Sequence, residues 1–270
     1  MALYEKTLYT IPNNFVLGNI YEYDISKANI SILLAKGIIS MEDYERYVQM
    51  DRMERQIKIG ILQRDNAMAK KILEDGFLES RRLLFTNNNI QNDEVISIKK
   101  DAVFVTRPLG NTVFGFINFA LKNEYKMMLK IDNPKYEFYF AYDEESECCN
   151  IDIKGVKDDS LPLHNDTWIQ FFCNVFTDLQ YKDFSKALAY INDFGRKYIN
   201  MQLPIEYYRE FNSKSHFMLH SGFVSEFSID RADDSIRGSI NPEFNYRIIR
   251  SLLMLVSEMY MMHQKKGRGL

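Results

Sequence analysis

The stretch FVLGNIYEYDISKANISILLAK, residues 15–36, contains a strand-like segment and a helix-like segment on either side of one acidic residue. The apolar and aromatic side chains of residues 15–23 predict a β-strand. Residues 27–36 predict a short helix, which Gly37 ends as a C-terminal cap. Asp24 therefore lies where an apolar strand gives way to a helix.

A second acidic residue lies at a turn. Residues 94–98, EVISI, and 102–106, AVFVT, are both strand-like and are separated by Lys99, Lys100 and Asp101. Two such segments with a short polar connection predict a β-hairpin. This interpretation puts Asp101 at or beside the tip of the hairpin.

The rest of the chain predicts an α+β protein. Hydrophobic periodicity predicts further strands at 5–11, 112–119, 124–131, 135–142 and 149–154, and helices at 40–65, 66–88, 166–178, 182–199 and 242–264. We expect a mixed or antiparallel sheet with two long helices, followed by a mostly helical lobe. The composition changes near 155–160, which predicts a first domain over 1–157, with a helical insertion over 40–90, and a second over 158–270.

Composition excludes several classes of protein. The 270 residues are 46% hydrophobic and carry a net charge of −3, which excludes a disordered chain and does not indicate a nucleic-acid binder by overall charge. Three irregularly spaced cysteines predict neither a disulfide framework nor a zinc site. Without an apolar signal segment or a membrane-spanning stretch, we expect a cytoplasmic protein with no membrane partner.

Asp24 and Asp101 form the one pair that suggests chemistry. If the two strands are neighbours, their carboxylates crowd together and repel unless cations lie between them. A pair of magnesium ions is the usual solution in phosphoryl transfer. The alternative is structural, because aspartate is common both at helix N-caps and in turns.

Two motifs resemble family B DNA polymerases. Asp24-Ile-Ser-Lys-Ala-Asn-Ile-Ser-Ile-Leu is similar to their first palm motif, D-x-x-S-L-Y-P-S-I-I. Lys99-Lys-Asp-Ala-Val-Phe-Val is similar to their third, D-T-D-S-I-F-V. The Lys154-Gly155 pair resembles the lysine–glycine element that follows the palm, and residues 182–208 resemble the thumb. The order of the elements also agrees over about residues 15–230.

The resemblance implies template-directed nucleotidyl transfer on a DNA primer–template with Mg²⁺ or Mn²⁺. It implies metal binding by the Asp24 and Asp101 carboxylates and the Ile25 carbonyl. It implies triphosphate or nucleotide contacts by Arg55, Lys58 and Asn29, and nucleic-acid contacts by Lys154, Gly155, Lys99 and Lys100. A phage-like origin, in the cytoplasm of the host, is part of the same expectation.

The chain departs from the family at three places. Asn29 replaces the tyrosine that screens the sugar 2′ position, and Lys99 and Lys100 replace the first residues of the third motif. The finger motif, K-x-x-x-N-S-x-Y-G, has only a faint echo in the stretch that begins at Lys58. A lysine beside a metal site opposes the metal unless it points away. The resemblance therefore leaves two hypotheses open: a palm-and-thumb subunit, working alone or with a second chain that supplies fingers or exonuclease, and an inactive derivative used for nucleic-acid binding or assembly.

The helix of residues 40–65 carries a row of cations with two interpretations. Arg52, Arg55, Lys58 and Arg64 recur at near-helical spacing. Such a row is typical of a phosphate-binding face. It is equally typical of a solvated face paired with the acidic residues of the same helix. A third interpretation of the whole chain is a structural protein whose resemblance to polymerases is accidental.

Overall fold

The computed structural model describes residues 2–132, 135–155, 166–211, 216–222 and 234–267. The α+β fold class is confirmed. The helices of the described residues are α1 Ala28–Ala35, α2 Met41–Gln49, α3 Arg52–Asp65, α4 Ala67–Asn88, α5 Asp166–Gln180, α6 Phe184–Ile199 and α7 Glu243–Gly267. The strands are β1 Leu8–Thr10, β2 Phe15–Ile25, β3 Val95–Lys99, β4 Ala102–Val105, β5 Val113–Phe114, β6 Ile117–Ile131, β7 Tyr136–Asp143 and β8 Cys148–Lys154.

The strands form one eight-stranded sheet in the order β1-β3-β4-β2-β6-β7-β8, with β5 paired to β6. Each described register is antiparallel. β4 is paired with β3 on one side and with β2 on the other. The sheet therefore brings together the strand that carries Asp24 and the hairpin that carries Asp101, although the two residues are 77 positions apart in sequence.

Two predicted elements differ in extent. The single helical segment predicted over 40–65 is two helices, because Asp51 accepts a hydrogen bond from the Glu54 amide at 2.9 Å and so begins α3 as a new N-cap. The strands predicted at 112–119 and 124–131 are instead the short β5 and one continuous β6 of 15 residues.

The described chain divides into two compact units, each with its own core. The first contains Met1–Pro12 and Gly18–Glu124, and the second contains Asn13–Leu17 and Tyr125–Leu270. These units have different limits from the domains 1–157 and 158–270 expected from the sequence. That expected boundary lies within 156–165, outside the described residues, so the sequence-based division stays a prediction.

In the first unit, α1 and α4 pack against each other and contribute to the core around β3 and β4. All four residues of β4 are buried, as are Val95, Ile96, Ser97 and Ile98 of β3. α4 approaches α1 closely at Gly76, where an added Cβ would lie 2.2 Å from the Ile32 side chain. The absence of a side chain at residue 76 therefore sets how near the two helices lie.

The core of the second unit is rich in aromatic side chains. Trp168 of α5 is buried against Phe172, Phe194 and Tyr198, and its indole N–H donates to the Tyr207 carbonyl at 3.1 Å. Such rings bury large apolar areas and contribute most of the stabilisation of a core. These aromatic residues serve packing, as their helical spacing suggests.

The cysteines differ from the sequence-based expectation. Cys149 of β8 and Cys173 of α5 form a disulfide with their Cα atoms 6.1 Å apart, while Cys148 is a free, exposed thiol. The irregular spacing that indicated no disulfide framework also gave no sign of this single bond. Residues 24 apart become neighbours only when α5 packs against β8.

Among the described residues, no helix is long and apolar enough to cross a lipid bilayer.

Candidate functional site

Asp24 and Asp101 line the same cavity of the first unit. Asp24 on β2 is paired in register with Ala102 on β4, and Asp101 is the residue immediately before Ala102. The cavity has a volume of about 320 Å³. Its lining residues, taken from β2, α1, α3, β6 and two turns, are Asp24, Ile25, Lys27, Ala28, Asn29, Ile30, Arg52, Arg55, Gln56, Ile59, Asp101 and Lys122.

The Asp24 carboxylate is in an unusual electrostatic environment. Its side chain is 31% exposed, but its Oδ1 atom is buried and accepts no hydrogen bond from any residue that the structure describes. Burial raises its pKa above the usual aspartate value, and the charges of Asp101 and Glu22 raise the pKa further. Lys122 and the Ile25 amide act in the opposite direction. An acceptor oxygen withdrawn from water without a donor indicates that a cation or a proton belongs there.

Lys122 of β6 faces this carboxylate. Its Nζ lies 3.8 Å from Asp24 Oδ2 and 3.9 Å from Glu22 Oε1. Glu22 points to the same face of β2 as Asp24, because side chains two apart on a strand share a face. The Glu22 side chain is 1% exposed, and its Oε2 accepts a hydrogen bond from Asn123 Nδ2 at 2.7 Å. The acidic site therefore has a third carboxylate nearby and one lysine facing it.

A buried arginine holds the turn that carries Asp101. Arg81 of α4 is 1% exposed, donates from Nε to the Tyr4 carbonyl at 2.8 Å, and donates from Nη1 to the Lys100 carbonyl. The Lys100 amide donates to the Thr7 carbonyl at 2.7 Å, and Lys100 has a positive φ of 58°. Burial lowers the pKa of Arg81 from its ordinary value, while Asp101 raises it. Hydrogen bonds to the carbonyl and from the amide of Lys100 thus hold the turn that carries Asp101.

Lys99 and Lys100 are directed to other partners. Lys99 Nζ donates to Thr10 Oγ1 at 3.1 Å, and Lys100 Nζ lies 4.7 Å from the centre of the Phe77 ring. Neither lysine lines the cavity. The repulsion that these two lysines would exert on a metal at Asp101 is therefore reduced, because both amines are held by other groups.

The start of α1 bears on the structural alternative for Asp24. The N-cap residue of α1 is Lys27, with a φ of 51°, and no side chain caps this helix. Ser31 instead stabilises the turn by donating from its hydroxyl to the Ser26 carbonyl at 2.9 Å. Asp24 is thus not the N-cap of α1, whereas Asp101 does lie in a turn.

The two cations expected to bind the triphosphate lie differently on α3. Arg55 lines the cavity, and its Nη1 donates to the Met50 carbonyl at 3.3 Å. Lys58 is exposed and does not line the cavity, whereas Arg52 does. Helical geometry gives the reason: positions 52, 55, 56 and 59 share one face of α3, and position 58 lies to the side of it.

The lysine–glycine element belongs to the second unit. Lys154 Nζ forms an ion pair with Asp152 Oδ2 at 2.6 Å, and Tyr125 donates to the same oxygen at 3.0 Å. Gly155 has a φ of 96°, and a Cβ there would lie 2.3 Å from the Lys135 carbonyl oxygen. Glycine is therefore required at 155 for backbone reasons alone, and the nucleic-acid contacts expected of this pair stay a prediction.

The donor set at Asp24 and Asp101 is compatible with a magnesium ion that also binds substrate. Mg²⁺ in phosphoryl-transfer sites is held by one or two carboxylates together with substrate phosphates and water. The two aspartates and the Ile25 carbonyl are ligands of that type, and Asp24 Oδ1 is a buried acceptor with no hydrogen-bond donor among the described residues. Among the described residues, no cluster of three or more histidine, cysteine or acidic side chains forms a ready-made metal site.

Comparison with protein families finds one family model that matches most of the chain. The family model of the bacteriophage PBS1 gene 130 protein matches residues 1–256. The chain belongs to this family. No curated protein matches its sequence. The PBS1 gene 130 family thus supports the phage-like origin expected from the sequence, and the match includes all the cavity residues.

Four residues of this PBS1 gene 130 family member were missed by the sequence analysis as site residues: Glu22, Arg52, Arg81 and Lys122. Glu22 carried a usable signal, since it precedes Asp24 by two residues in a strand. Arg52 had been noted only as part of a row of cations. Arg81 and Lys122 carried no local signal, because their roles depend on α4 and β6 packing beside residues far away in sequence.

Proposed function

We propose that this phage protein is a nucleotidyl transferase with a polymerase-like palm, which extends a DNA primer on a template and works alone or as part of a split enzyme. One observation carries the proposal. Asp24 and Asp101, identified by their resemblance to two polymerase motifs, lie at neighbouring register positions and line one cavity with Ile25, Asn29 and Arg55.

The residues have distinct roles in this proposal. Asp24, Asp101 and the Ile25 carbonyl would hold the divalent cations. Bound Mg²⁺ or Mn²⁺ would lower the pKa of the primer hydroxyl and offset the charge that develops on the phosphoryl group. Arg52 and Arg55 give the cavity a cationic wall, which favours the binding and orientation of a triphosphate. Arg81 keeps Asp101 in position through the turn.

Two observations favour a second candidate, an inactive polymerase-derived protein that binds nucleic acid or assembles with a partner. Lys122 already neutralises part of the acidic site. Lys58, the second cation expected at the triphosphate, lies outside the cavity. In this alternative the cavity binds anions through its arginines without metal-dependent chemistry.

Primer extension tests the proposal. The purified protein is incubated with a labelled primer–template, all four dNTPs and Mg²⁺ or Mn²⁺. We expect extension that is lost in Asp24→Asn and in Asp101→Asn but kept in Asp75→Asn, a control at an exposed aspartate of α4. Salt-sensitive DNA binding without extension, unchanged in the two site variants, would instead favour the binding protein.

A further inference from the structure

The acidic site contains a cation of its own. The Lys122 ammonium lies between Asp24 and Glu22, at 3.8 and 3.9 Å from their nearest oxygens. Both distances exceed those of a hydrogen bond, so Lys122 is attracted to the carboxylates by charge without being tied to either. The lysine side chain is 53% exposed, whereas the Glu22 side chain is 1% exposed. A half-exposed amine therefore neutralises one carboxylate that is withdrawn from water, Glu22, and one that is partly withdrawn, Asp24.

The two carboxylates differ in how firmly they are held. Glu22 Oε2 accepts from Asn123 at 2.7 Å, which keeps Glu22 in place whether or not Lys122 is near. Asp24 Oδ1 has no donor among the described residues. Of the two carboxylates, Asp24 therefore depends more on a nearby cation to stabilise its negative charge. The negative charge of Asp101 beside it increases this dependence.

We propose that Lys122 is an exchangeable counter-ion of this site. Its ammonium neutralises Asp24 and Glu22 when no divalent cation is present, and it leaves that position when a divalent cation binds, because two cations a few ångströms apart repel each other. The inference rests on the proposed function, in which Asp24 holds a metal. The displaced ammonium stays in the cavity, where it becomes available to an anionic substrate.

Binding of Mn²⁺ to the metal-free protein, measured by isothermal titration calorimetry without nucleotide, tests the exchange. Removing a competing cation predicts that Lys122→Met binds Mn²⁺ about tenfold more tightly than the wild type, after allowing for solvent screening. Lys126→Met is the matched control, because Lys126 is an exposed lysine of the same strand that does not line the cavity. Lys122→Gln, which keeps a long polar side chain, replaces the Met variant if that variant does not fold.

Thermal unfolding gives a second measurement that does not depend on activity. In EDTA, Lys122→Met should melt at a lower temperature than the wild type, because two carboxylates lose their counter-ion. With saturating Mg²⁺ the difference should disappear, since the bound ion replaces the lost charge. The melting temperature of Lys126→Met should differ from that of the wild type by the same amount in EDTA and with saturating Mg²⁺.

The outcomes separate this inference from the proposed function. Tighter Mn²⁺ binding in Lys122→Met alone supports the exchange. Binding that depends on Asp24 but is unchanged or weaker in Lys122→Met overturns the exchange and leaves the metal site intact. Binding that is the same in Asp24→Asn and the wild type removes the metal site of the proposed function, and the exchange with it.

Discussion

Arg81 donates a hydrogen bond from its buried guanidinium to the carbonyl of Lys100, the residue that precedes Asp101. An arginine of α4 thereby controls the backbone on which one of the two cavity aspartates is mounted. The second bond of Arg81, to the Tyr4 carbonyl, ties the N-terminal segment to the same helix. A single side chain thus connects three segments of the first unit that are distant in sequence.

Replacing Arg81 should destabilise the protein and disturb the position of Asp101 in the site. Arg81→Met leaves two backbone carbonyls without their donor, and we expect unfolding to become easier by about 3 kcal/mol. We also expect weaker Mn²⁺ binding, because the Asp101 turn is no longer held. Urea unfolding and Mn²⁺ titration measure the two effects. The exposed neighbour Arg82 supplies the control variant Arg82→Met, and equal effects at both positions would show that the turn does not need Arg81.

Gly76 and Gly60 should respond in opposite ways to alanine. Gly76→Ala puts a Cβ 2.2 Å from Ile32 Cγ2, and we expect a loss of about 1–3 kcal/mol from overpacking. Gly60→Ala, in α3, meets nothing within 4 Å and should stabilise the protein by about 0.5–1 kcal/mol through helix propensity. Ile32→Leu removes the γ2 methyl group and should reduce the cost of Gly76→Ala, which thermal unfolding of the double variant measures. Additive effects of the two changes would contradict the steric explanation.

The ion pair between Glu94 and Arg107 predicts a pH-dependent contribution to stability. The hydrogen bond from Arg107, 2.6 Å long, holds the pKa of Glu94 below its ordinary value of 4.5, and the Gln91 amide adds to this effect. A depressed carboxyl pKa stabilises the fold above the unfolded pKa and ceases to do so as the pH falls through the folded pKa. Glu94→Gln should therefore destabilise the protein by about 1 kcal/mol at pH 7 and by much less in acid, below the folded pKa.

Urea unfolding of Glu94→Gln and of the wild type at pH 7 and in acid measures this difference. Glu124→Gln, at an exposed residue of β6, is the control and should show little pH-dependent difference from the wild type. A gap between Glu94→Gln and the wild type that persists unchanged in acid would rule out the titration of Glu94 as its cause.

The disulfide between Cys149 and Cys173 should stabilise the second unit. Closing a loop over a sequence separation of 24 residues is worth about 3 kcal/mol in the chain-entropy model. We expect Cys173→Ser, or reduction of the wild type, to lower the unfolding midpoint followed by fluorescence of Trp168, the only tryptophan. Cys148→Ser should have no effect. Alkylation of the denatured, unreduced protein should modify one thiol per chain, and three modified thiols would refute the bond.

Sequence reasoning succeeded where the signal was local. The hairpin around Asp101 and the strand that carries Asp24 follow from hydrophobic periodicity, because each lies within one short segment. The division between α2 and α3 at Asp51 also had a local signal, an aspartate three residues before Glu54, that the prediction did not use.

The remaining features depend on contacts between distant residues. Lys122 and Asp24 become neighbours only because β6 follows β2 in the sheet order, across nearly a hundred residues. The two hydrogen bonds from Arg81 to backbone carbonyls have no sequence signature either. Any buried arginine on a helix would give the same sequence pattern, whichever groups it contacted. The disulfide likewise required knowing that α5 packs against β8.

The two compact units are interleaved along the chain, since residues 13–17 belong to the second unit but are flanked on both sides by the first. A single cut of the polypeptide, or a single crossover in its gene, therefore cannot yield two pieces that each contain one whole unit. Exchange of one unit between relatives would need three breakpoints, one of them within strand β2 and another within strand β6. We therefore expect the acidic cavity of the first unit and the aromatic core of the second to be inherited together.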